Sequence, residues 1–484
     1  MKMLARVMLC LLFGMLVACG QQQSNQQHEI RMAVAQPVIN LDPRYATDAA
    51  SARVNRLLYQ SLIQFDSHFQ PQAQLANWRQ ISPQEYLFTL ISSPTKFHDG
   101  TPLSAADVAA TYQSMQQIAS PLSAEFANIT QVQALDSQQV RFVLKQPDPD
   151  FVAKLVIGIL PASLIKAGHD FNQQPIGSGP LRFVRHDASL LLQRVADGQF
   201  IRLMEIKDPT VRVLKLMHSE VDILQGDLPP ELVSYLNKQS GVKISVSEGA
   251  NYSYLGLNLR DQTLRMPLVR QALAYAIDTQ KIVRYGLVPG SRAATAILPP
   301  QHWAGNAQLT PYPYRPEYAK TLLKQAGVEL PLRLEYKTSS DPQRLRLATM
   351  LQAQMRAAGI QLNIKSHDWG TFFGDIQQGH FQMYGLTWVG IKTPDIYDKA
   401  FATSAIPPQG FNRGHYQDDA LDKLLQQRDW PAVTQRIHQQ LPYIPLWYEG
   451  QVVALRDGVE GFHANLDGNW DDLAKVKKQM NGSN

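Results

Sequence analysis

The residue types that usually carry out chemistry are sparse in this chain and form no catalytic pattern. The 484 residues include twelve histidines and two cysteines, and no histidine lies three or four residues from another. No G-x-S-x-G, H-E-x-x-H, C-x-x-C or G-x-x-x-x-G-K-S/T motif occurs. We therefore expect no enzyme activity, no metal site and no cofactor, which favours a protein that binds without catalysis.

The charge balance argues against a nucleic-acid partner. Lysine and arginine number 46 against 41 acidic residues, which gives a net charge of +5. The charges are interspersed, whereas a nucleic-acid-binding surface normally gathers basic residues on one face. The length favours roughly two to four domains, and the 44% of apolar residues is enough for large cores.

The N-terminal segment is typical of an export signal that ends in a lipid-attachment site. A short basic region precedes an apolar run, Val7–Ala18, which is too short for a comfortable membrane span but suits a secretory signal. The run ends in the letters LVAC, which resemble a bacterial lipobox. We therefore expect a signal peptide over residues 1–18, a palmitoylated Cys19 and a polar tether over residues 19–27. The alternative is an ordinary signal peptide with an incidental cysteine.

These features predict a location in the periplasmic space. The lipid on Cys19 would anchor the protein to a bacterial membrane, either the inner or the outer one. Two or three acyl chains give firm anchoring, whereas one chain alone is marginal.

Helical and strand periodicities alternate along the rest of the chain. Ser104 and Asp107 have the spacing of a capping box. Within residues 332–366, a strand, a helix closed by Gly359 and a second strand predict a parallel βαβ crossover. We therefore expect an α/β fold with mixed sheets. The predicted elements include helices at Ala49–Leu62, Thr101–Gln116, Pro267–Asp278, Glu317–Ala326 and Asp418–Gln427, strands at Ile30–Val34, Tyr86–Ile91, Tyr252–Asn258 and Ile444–Ala454, and a hairpin at Leu181–Val195.

Four segments, in order along the chain, carry a family resemblance. They read KFHDGTPLSAADVAAT (Lys96–Thr111), PIGSGPLRF (Pro175–Phe183), EVDILQGDLPP (Glu220–Pro230) and a strand and helix over Tyr254–Asp278. The first resembles the family's D-G and proline loop before a helix headed by A-x-D-V. Together with further matches, they resemble the family 5 solute-binding proteins of ABC importers, the oligopeptide, dipeptide and nickel-binding group.

The resemblance implies a periplasmic-binding-protein-like fold with two α/β lobes and an extra domain inserted in the first. Carried over, lobe one comprises residues 28–62, 168–249 and 452–484, the inserted domain comprises residues 63–167, and lobe two comprises residues 250–451. The strands Asn251–Asn258 and Tyr448–Ala454 would form the hinge. Hinge closure would enclose the ligand and present the closed shape to a permease.

The function implied is that of a receptor lipoprotein of an ABC importer. We expect a monomer that binds a peptide or a related small polar solute by hinge closure. It would pass the solute, without catalysis, to the permease and ATPase complex. The alternative is a sensory or chaperone-like binding lipoprotein that is not coupled to transport.

The resemblance also implies which residues contact the ligand. Trp388 and its neighbour Thr387 lie in the segment LTWVG, which matches the family's G-W-x-x-D ligand segment. Trp369 lies where relatives place a tryptophan in the pocket. Either tryptophan could instead be a packing aromatic of the core.

Four further candidates come from other matching segments. Tyr448 lies on the returning strand, where an aromatic ring could line the cleft. Arg413 could orient lobe two or contact the ligand. Thr47 and Asp48 fall where the first lobe meets the ligand, although Asp48 could simply cap the following helix.

Position 391 departs from the family's pattern. Peptide-binding members carry an aspartate there, which pairs with the α-ammonium group of the peptide, whereas this chain has Ile391 followed by Lys392. A buried ammonium needs an anion, so the resemblance does not extend to this clamp. Asp395 could replace the missing acid, although a helix N-cap before Ile396–Ala402 is the favoured interpretation. For Lys392, an exposed hinge lysine is favoured over a contact with an anionic ligand group.

Overall fold

The structure, a computed structural model, describes residues 29–91, 95–120, 122–226, 228–408 and 410–479. The predicted signal peptide, the tether and the proposed lipidation site Cys19 lie outside the described residues. Within the described ranges, no helix combines the length and the apolar character that a membrane span requires.

The first described strand and helix begin where the sequence predicts. They are β1 (Ile30–Val34) and α1 (Ala49–Leu58). Asp48 is the N-cap of α1, since its carboxylate accepts a hydrogen bond from the Ser51 N–H at 2.8 Å. The capping role considered for Asp48 is therefore confirmed.

Helix α1 ends at Leu58 and not at the predicted Leu62. The Leu58 carbonyl accepts a hydrogen bond from the Gly179 N–H at 2.8 Å, which takes the place of a further helical turn. A side chain at Gly179 would put its Cβ 2.2 Å from the Leu57 carbonyl oxygen. Glycine is therefore required at this close approach of the two backbones.

The next elements form two small antiparallel sheets, one of two strands and one of four. They are β2 (Ile63–Phe65), β3 (Pro71–Ala73), β4 (Ala76–Ser82), β5 (Glu85–Leu90), α2 (Ala105–Gln117), β6 (Ile129–Ala134), β7 (Gln139–Leu144) and α3 (Ala162–Lys166). Strands β4, β5, β7 and β6 pair in that order. The predicted capping box is present, with the Ser104 N–H donating to the Asp107 carboxylate at 2.8 Å. Phe88, Tyr112 and Phe142 lie in the hydrophobic cluster that we call the insert core.

Residues 181–236 complete the sheet that contains β1. The elements are β8 (Leu181–His186), β9 (Leu190–Arg194), β10 (Phe200–Glu205), α4 (Pro209–Met217), β11 (Ile223–Gln225) and α5 (Pro230–Leu236). Strand β1 pairs in parallel with β10 and with β11, and β8 and β9 form the predicted hairpin. The buried side chains on the two faces of this sheet, among them Met32 and Leu224, form what we call core one.

The remaining elements hold most of the helices. They are β12 (Val242–Leu257), α6 (Pro267–Tyr275), α7 (Thr279–Gly286), β13 (Arg292–Ala293), α8 (Pro316–Gln325), β14 (Leu332–Ser339), α9 (Pro342–Ala357), β15 (Ile360–His367), α10 (Trp369–Gln378), β16 (Met383–Trp388), α11 (Asp395–Phe401), α12 (Asp419–Gln427), α13 (Trp430–Gln440), β17 (Tyr443–Arg456), β18 (Val459–Glu460) and β19 (Lys477–Lys478). The predicted crossover is confirmed, because β14 and β15 pair in parallel around α9. Buried residues such as Leu334 and Tyr254 form core two.

Strands β12 and β17 join core one to core two. A single sheet runs in the order β15-β14-β16-β12-β17-β11-β1-β10-β9-β8, with β13 beside β17. The antiparallel pairing of β12 with β17 shifts register between Ser247 and Asn251. At Gly249, inside that shift, a Cβ would lie 1.5 Å from the Glu449 carbonyl oxygen. The backbones therefore touch at this crossing, and the two segments predicted as the hinge lie in these same strands.

Candidate functional site

A cavity of about 700 Å³ lies where core one, the insert core and the segment after β16 meet. Thr47 and Asp48 line it from the start of α1, and Val389 and Gly390 line it directly after Trp388. Binding sites for small molecules have volumes of about 300–1,000 Å³. The charged lining residues are four basic and four acidic ones: Arg53, Arg56, Lys154, Lys392, Asp48, Glu125, Asp467 and Asp471. Arg56 pairs with Asp471 and Lys392 with Asp467 within this lining, so the cavity is polar and of a size that suits a small solute.

Lys392 connects three parts of the molecule at the cavity wall. Its ammonium lies 3.0 Å from the carboxylate of Asp467 in the C-terminal tail and 5.3 Å from the ring centre of Phe65 in β2. Burial lowers the pKa of Lys392, and the negative charge of Asp467 opposes that shift. Burial alone would raise the pKa of Asp467, but Lys392 and its other partners outweigh burial and lower it. The Lys392 side chain is 18% exposed, so the favoured prediction of an exposed lysine is wrong.

An aromatic wall stands at the end of β16, next to the cavity. Trp388 stacks on Tyr254 of β12 with ring centres 6.3 Å apart and meets Phe411 at 5.9 Å. The guanidinium carbon of Arg413 lies 5.6 Å from the ring centre of Trp388, 5.5 Å from that of Phe373 and 5.3 Å from that of Phe411. We call these five residues the aromatic wall.

Trp369 extends the aromatic wall toward solvent. It is the first residue of α10 and stacks on Phe373 at 5.4 Å, yet 60% of it is exposed. Phe411 and Val389 are also exposed, by 44% and 50%. Large apolar side chains that gather at one exposed place mark a surface that binds something. The structure thus brings the predicted residues Trp369, Trp388 and Arg413 together.

Thr387 belongs to a polar chain that crosses β16, β12 and β17. Its hydroxyl lies 2.7 Å from the Ser253 hydroxyl, which donates to the Glu449 carboxylate at 2.9 Å. Arg344 pairs with the same carboxylate at 3.1 Å, and the charge of Glu449 raises the pKa of Arg344. The hydroxyl of Thr387 is therefore bound within the protein.

Two predicted ligand residues have their polar groups engaged elsewhere. Tyr448 is fully buried, and its hydroxyl donates to the Ala296 carbonyl at 2.6 Å. Asp395 pairs with Lys399 at 2.8 Å and is the first residue of α11. The N-cap of α11 is Pro394, so the interpretation of Asp395 as the cap is wrong by one position.

Sequence reasoning missed several residues of the site, among them Asp467, Phe373, Tyr254 and Phe411. Asp467 lies 75 positions from its partner Lys392, and no pattern in the sequence connects them. Phe373 had an available signal, because residues four positions apart on a helix share a face. Trp369 and Phe373 have that spacing, and their rings stack on α10.

Comparison with known families identifies the class of protein. The family of bacterial extracellular solute-binding proteins, family 5, matches residues 77–404 through its middle-region model, which is more than half of the chain. The chain therefore belongs to this family, and the resemblance seen in the sequence is confirmed. It is a solute-binding protein.

Individual relatives are similar over most of the chain. Di/tripeptide-binding protein 2 of Pseudomonas aeruginosa is 28% identical over 368 residues, which are 69% of this chain and 69% of the relative. The glutathione-binding protein GsiB of Escherichia coli strain K12 is 25% identical over 470 residues, which are 90% of this chain and 91% of the relative.

Solved structures share the fold. The ABC transporter substrate-binding protein CtaP of Listeria monocytogenes superposes with a TM-score of 0.83 at 21% identity, over 93% of this chain and 99% of its own. NikZ of Campylobacter jejuni, solved in complex with Ni(L-His), superposes with a TM-score of 0.78 at 23% identity, over 93% of this chain and 100% of its own. The predicted two-lobe α/β fold is therefore confirmed.

Proposed function

We propose that this protein is the receptor of an ABC importer for short peptides or a related small polar solute. The cavity carries the proposal, because a volume of about 700 Å³ with a polar, charged lining fits a small polar solute. The names of the relatives support it, since one is a di/tripeptide-binding protein and another a glutathione-binding protein. The solute would leave the protein chemically unchanged, so the function includes no catalytic step.

We infer that the protein works by closing two lobes about β12 and β17. The proposed division assigns residues 28–62, 168–249 and 452–484 to lobe one, residues 63–167 to the insert and residues 250–451 to lobe two. Among the described ion pairs that link lobe two to the other parts are Lys392 with Asp467 at 3.0 Å and Arg428 with Asp150 at 2.6 Å. Opening about the hinge would separate these pairs and expose the cavity. The closed monomer would then dock on the permease.

We propose that the protein is held at the membrane by lipid on Cys19. The supporting observation is the lipobox-like LVAC that ends an apolar run. A Cys19→Ser variant should lose incorporation of radiolabelled palmitate and move from the membrane fraction to the soluble fraction. Cys10→Ser is the matched control and should keep both. Label retained in Cys19→Ser would contradict the anchor.

A thermal-shift screen tests the binding function. Purified protein, stripped of bound solute by unfolding and refolding, is mixed with di- to pentapeptides, glutathione and a nickel–histidine chelate. A solute at 100 times its dissociation constant stabilises the folded state by about 2.7 kcal/mol, so we expect a clear rise in Tm with at least one peptide. The constituent free amino acids are the control. Absence of a shift with every peptide would contradict the proposal.

The same screen examines the departure at position 391. Each peptide is tested with a free and with an N-acetylated amino terminus. Because Ile391 supplies no anion for a buried ammonium, we expect acetylation to leave the shift unchanged. A shift that acetylation abolishes would mean that another acid of the cavity takes over the role.

A further inference from the structure

Arg413 is a buried cation without an anion. The structure buries five arginines among the residues it describes, and Arg413 is 8% exposed. The other four all donate to oxygens: Arg44 to Asp42, Arg194 to Asp197 and two carbonyls, Arg212 to two carbonyls, and Arg270 to three carbonyls. Across the described part of the chain, no carboxylate lies within ion-pair distance of Arg413. Burying an unpaired charge is costly, so its surroundings are incomplete as they stand.

The phenols around Arg413 do not supply the missing charge. Burial acts to lower the pKa of Arg413, and a hydrogen bond with the Tyr384 hydroxyl opposes that shift. Burial raises the pKa of Tyr384, and also those of Tyr254 and Tyr443, above the ordinary value. The tyrosines therefore stay neutral at physiological pH while the guanidinium stays charged.

A buried donor without an acceptor lies beside Arg413. The indole N–H of Trp388 is buried and has no hydrogen-bond partner among the described residues, and the Trp388 ring centre lies 5.6 Å from the guanidinium carbon. A buried donor left without an acceptor costs about 1–3 kcal/mol. The unpartnered indole N–H and the guanidinium beside it, which lacks a carboxylate in the described chain, together suit a group with more than one acceptor oxygen.

The place is open to an incoming group. Phe411, whose ring lies 5.3 Å from the Arg413 guanidinium carbon, is 44% exposed. Val389 follows Trp388, is 50% exposed and lines the cavity. Exposed side chains therefore border this place, and the chain continues from Trp388 directly into the cavity lining.

We propose that Arg413 binds a carboxylate of the solute, with the indole N–H of Trp388 as a second donor and the rings of Phe373 and Phe411 beside the group that carries the carboxylate. A guanidinium pairs with a carboxylate through two parallel hydrogen bonds, which supplies the anion that the protein lacks. The aromatic rings suit an apolar or aromatic carrier. This inference rests on the proposed function and names one part of the substrate class, a carboxylate next to an apolar group.

Calorimetric titration with matched ligands tests the subsite. The probes are Ala-Phe and Ala-Ala-Phe, each as the free acid and as the C-terminal amide, added to protein stripped of bound solute. The wild type should bind each free acid at least tenfold more tightly than its amide. Arg413→Met should remove this preference and leave the affinity for the amide within about twofold. Arg436→Met, which removes a surface partner of Asp418, is the matched control and should keep the preference.

A purely structural role for Arg413 predicts a different result. If the arginine only supports the wall, Arg413→Met would lower the Tm of the solute-free protein and keep the acid-to-amide ratio. Our proposal expects a Tm that is not lowered, because methionine removes a buried charge that has no carboxylate partner among the described residues, and the acid-to-amide ratio decides between the two roles. Arg413→Lys keeps the charge and should retain a weakened preference, so it gives a second reading if the methionine variant fails to fold.

The outcomes separate this inference from the proposed function. Equal affinity of the wild type for acid and amide would overturn the carboxylate subsite and leave the peptide receptor standing. Binding of neither form of either peptide would count against both. If Arg413→Met still preferred the free acid, another basic residue of the site would be the one that binds the carboxylate.

Discussion

Two buried charges are treated in opposite ways in the two halves of this protein. Asp222 of core one is fully buried and surrounded by three cations, with Arg31 at 3.4 Å, Arg456 at 3.2 Å and Lys478 at 3.1 Å. Arg413 of core two is almost as deeply buried and has no carboxylate partner in the described chain. The protein itself supplies the opposite charges that Asp222 needs. Its described residues supply no carboxylate for Arg413, so that a bound solute could do so.

The difference separates residues that hold the fold from residues that bind. The partners of Asp222 come from β1, from β17 and from β19, so this carboxylate ties the C-terminal tail to core one. Because its three partners already compensate its charge, the Asp222 carboxylate needs no contact with solvent or solute. Arg413 lies beside exposed aromatic rings and near the cavity, where a solute can complete its surroundings.

The largest effect that we predict is on stability, for Asp222→Asn. The change removes the anion and leaves three partly buried cations that repel one another, at a cost of about 3 kcal/mol. Urea denaturation of the solute-free protein measures this loss. Arg413→Met should show no loss of stability in the same experiment. Removal of a paired buried charge would then destabilise the protein, whereas removal of an unpaired one would not.

An exposed ion pair serves as the control for Asp222→Asn. Asp187 pairs with Arg185 at 3.0 Å, and about half of each side chain is exposed. Exposed pairs contribute little because solvent screens them, so Asp187→Asn should leave the denaturation midpoint unchanged. If Asp222→Asn also left the denaturation midpoint unchanged, the three cations would not depend on this carboxylate. The proposed difference between Asp222 and Arg413 would then be wrong.

The fold was readable from the sequence where a local pattern determines a local structure. The Ser104–Asp107 capping box and the βαβ unit of β14, α9 and β15 follow from spacing alone. The first half of β12 was missed although its sequence carried a signal, because Val242, Ile244 and Val246 alternate with polar residues. The structure pairs this segment with β17.

The sequence predicted which residues belong to the site, but it did not predict which groups surround them. Trp369, Trp388 and Arg413 could be named from matching segments, and the structure brings them together. Whether Arg413 has a carboxylate partner depends on all the residues that fold around it. The order of residues along the chain does not reveal these neighbours. The Lys392–Asp467 pair was unreadable for the same reason, because tertiary folding alone brings residues 75 positions apart into contact.

A smaller effect on stability is expected for the Lys392–Asp467 pair. Its two charges compensate each other, as those around Asp222 do, but the pair lies at the cavity. Lys392→Met leaves Asp467 partly buried without its cation, and Asp467→Asn leaves the ammonium without its anion. A double-mutant cycle should give a coupling energy of about 1–2 kcal/mol, so that the double variant loses less stability than the sum of the single ones. Urea denaturation measures each stability.

Solute binding should respond to the same variants. Because the pair joins lobe two to the C-terminal tail, its loss should weaken the closed form and reduce solute affinity by roughly tenfold, which equals about 1.4 kcal/mol. The pair Lys320–Glu317 lies on a single helix, α8, and its removal is the control that should leave affinity unchanged. An unchanged affinity in Lys392→Met would remove the pair from the closing mechanism.

A pH-dependent effect is expected for Asp398, an acid that is compensated only in part. Burial raises its pKa to about 6; Arg428 opposes this shift, whereas Asp395 and Asp150 add to it. In the folded protein Asp398 therefore keeps its proton to a higher pH than in the unfolded chain. Between about pH 4 and 6 the folded state binds more protons, so this group reduces stability as the pH rises through that window.

Asp398→Asn tests this dependence, since asparagine has no proton to lose. The variant and the wild type should have similar Tm values near pH 4, and the variant should be more stable by pH 7. Asp419→Asn, at an exposed acid on α12, is the control and should follow the wild type at each pH. If the difference between Asp398→Asn and the wild type stayed constant from pH 4 to 7, Asp398 would titrate as an ordinary acid. Arg428 would then compensate it as fully as the three cations compensate Asp222, and incomplete compensation would be confined to Arg413.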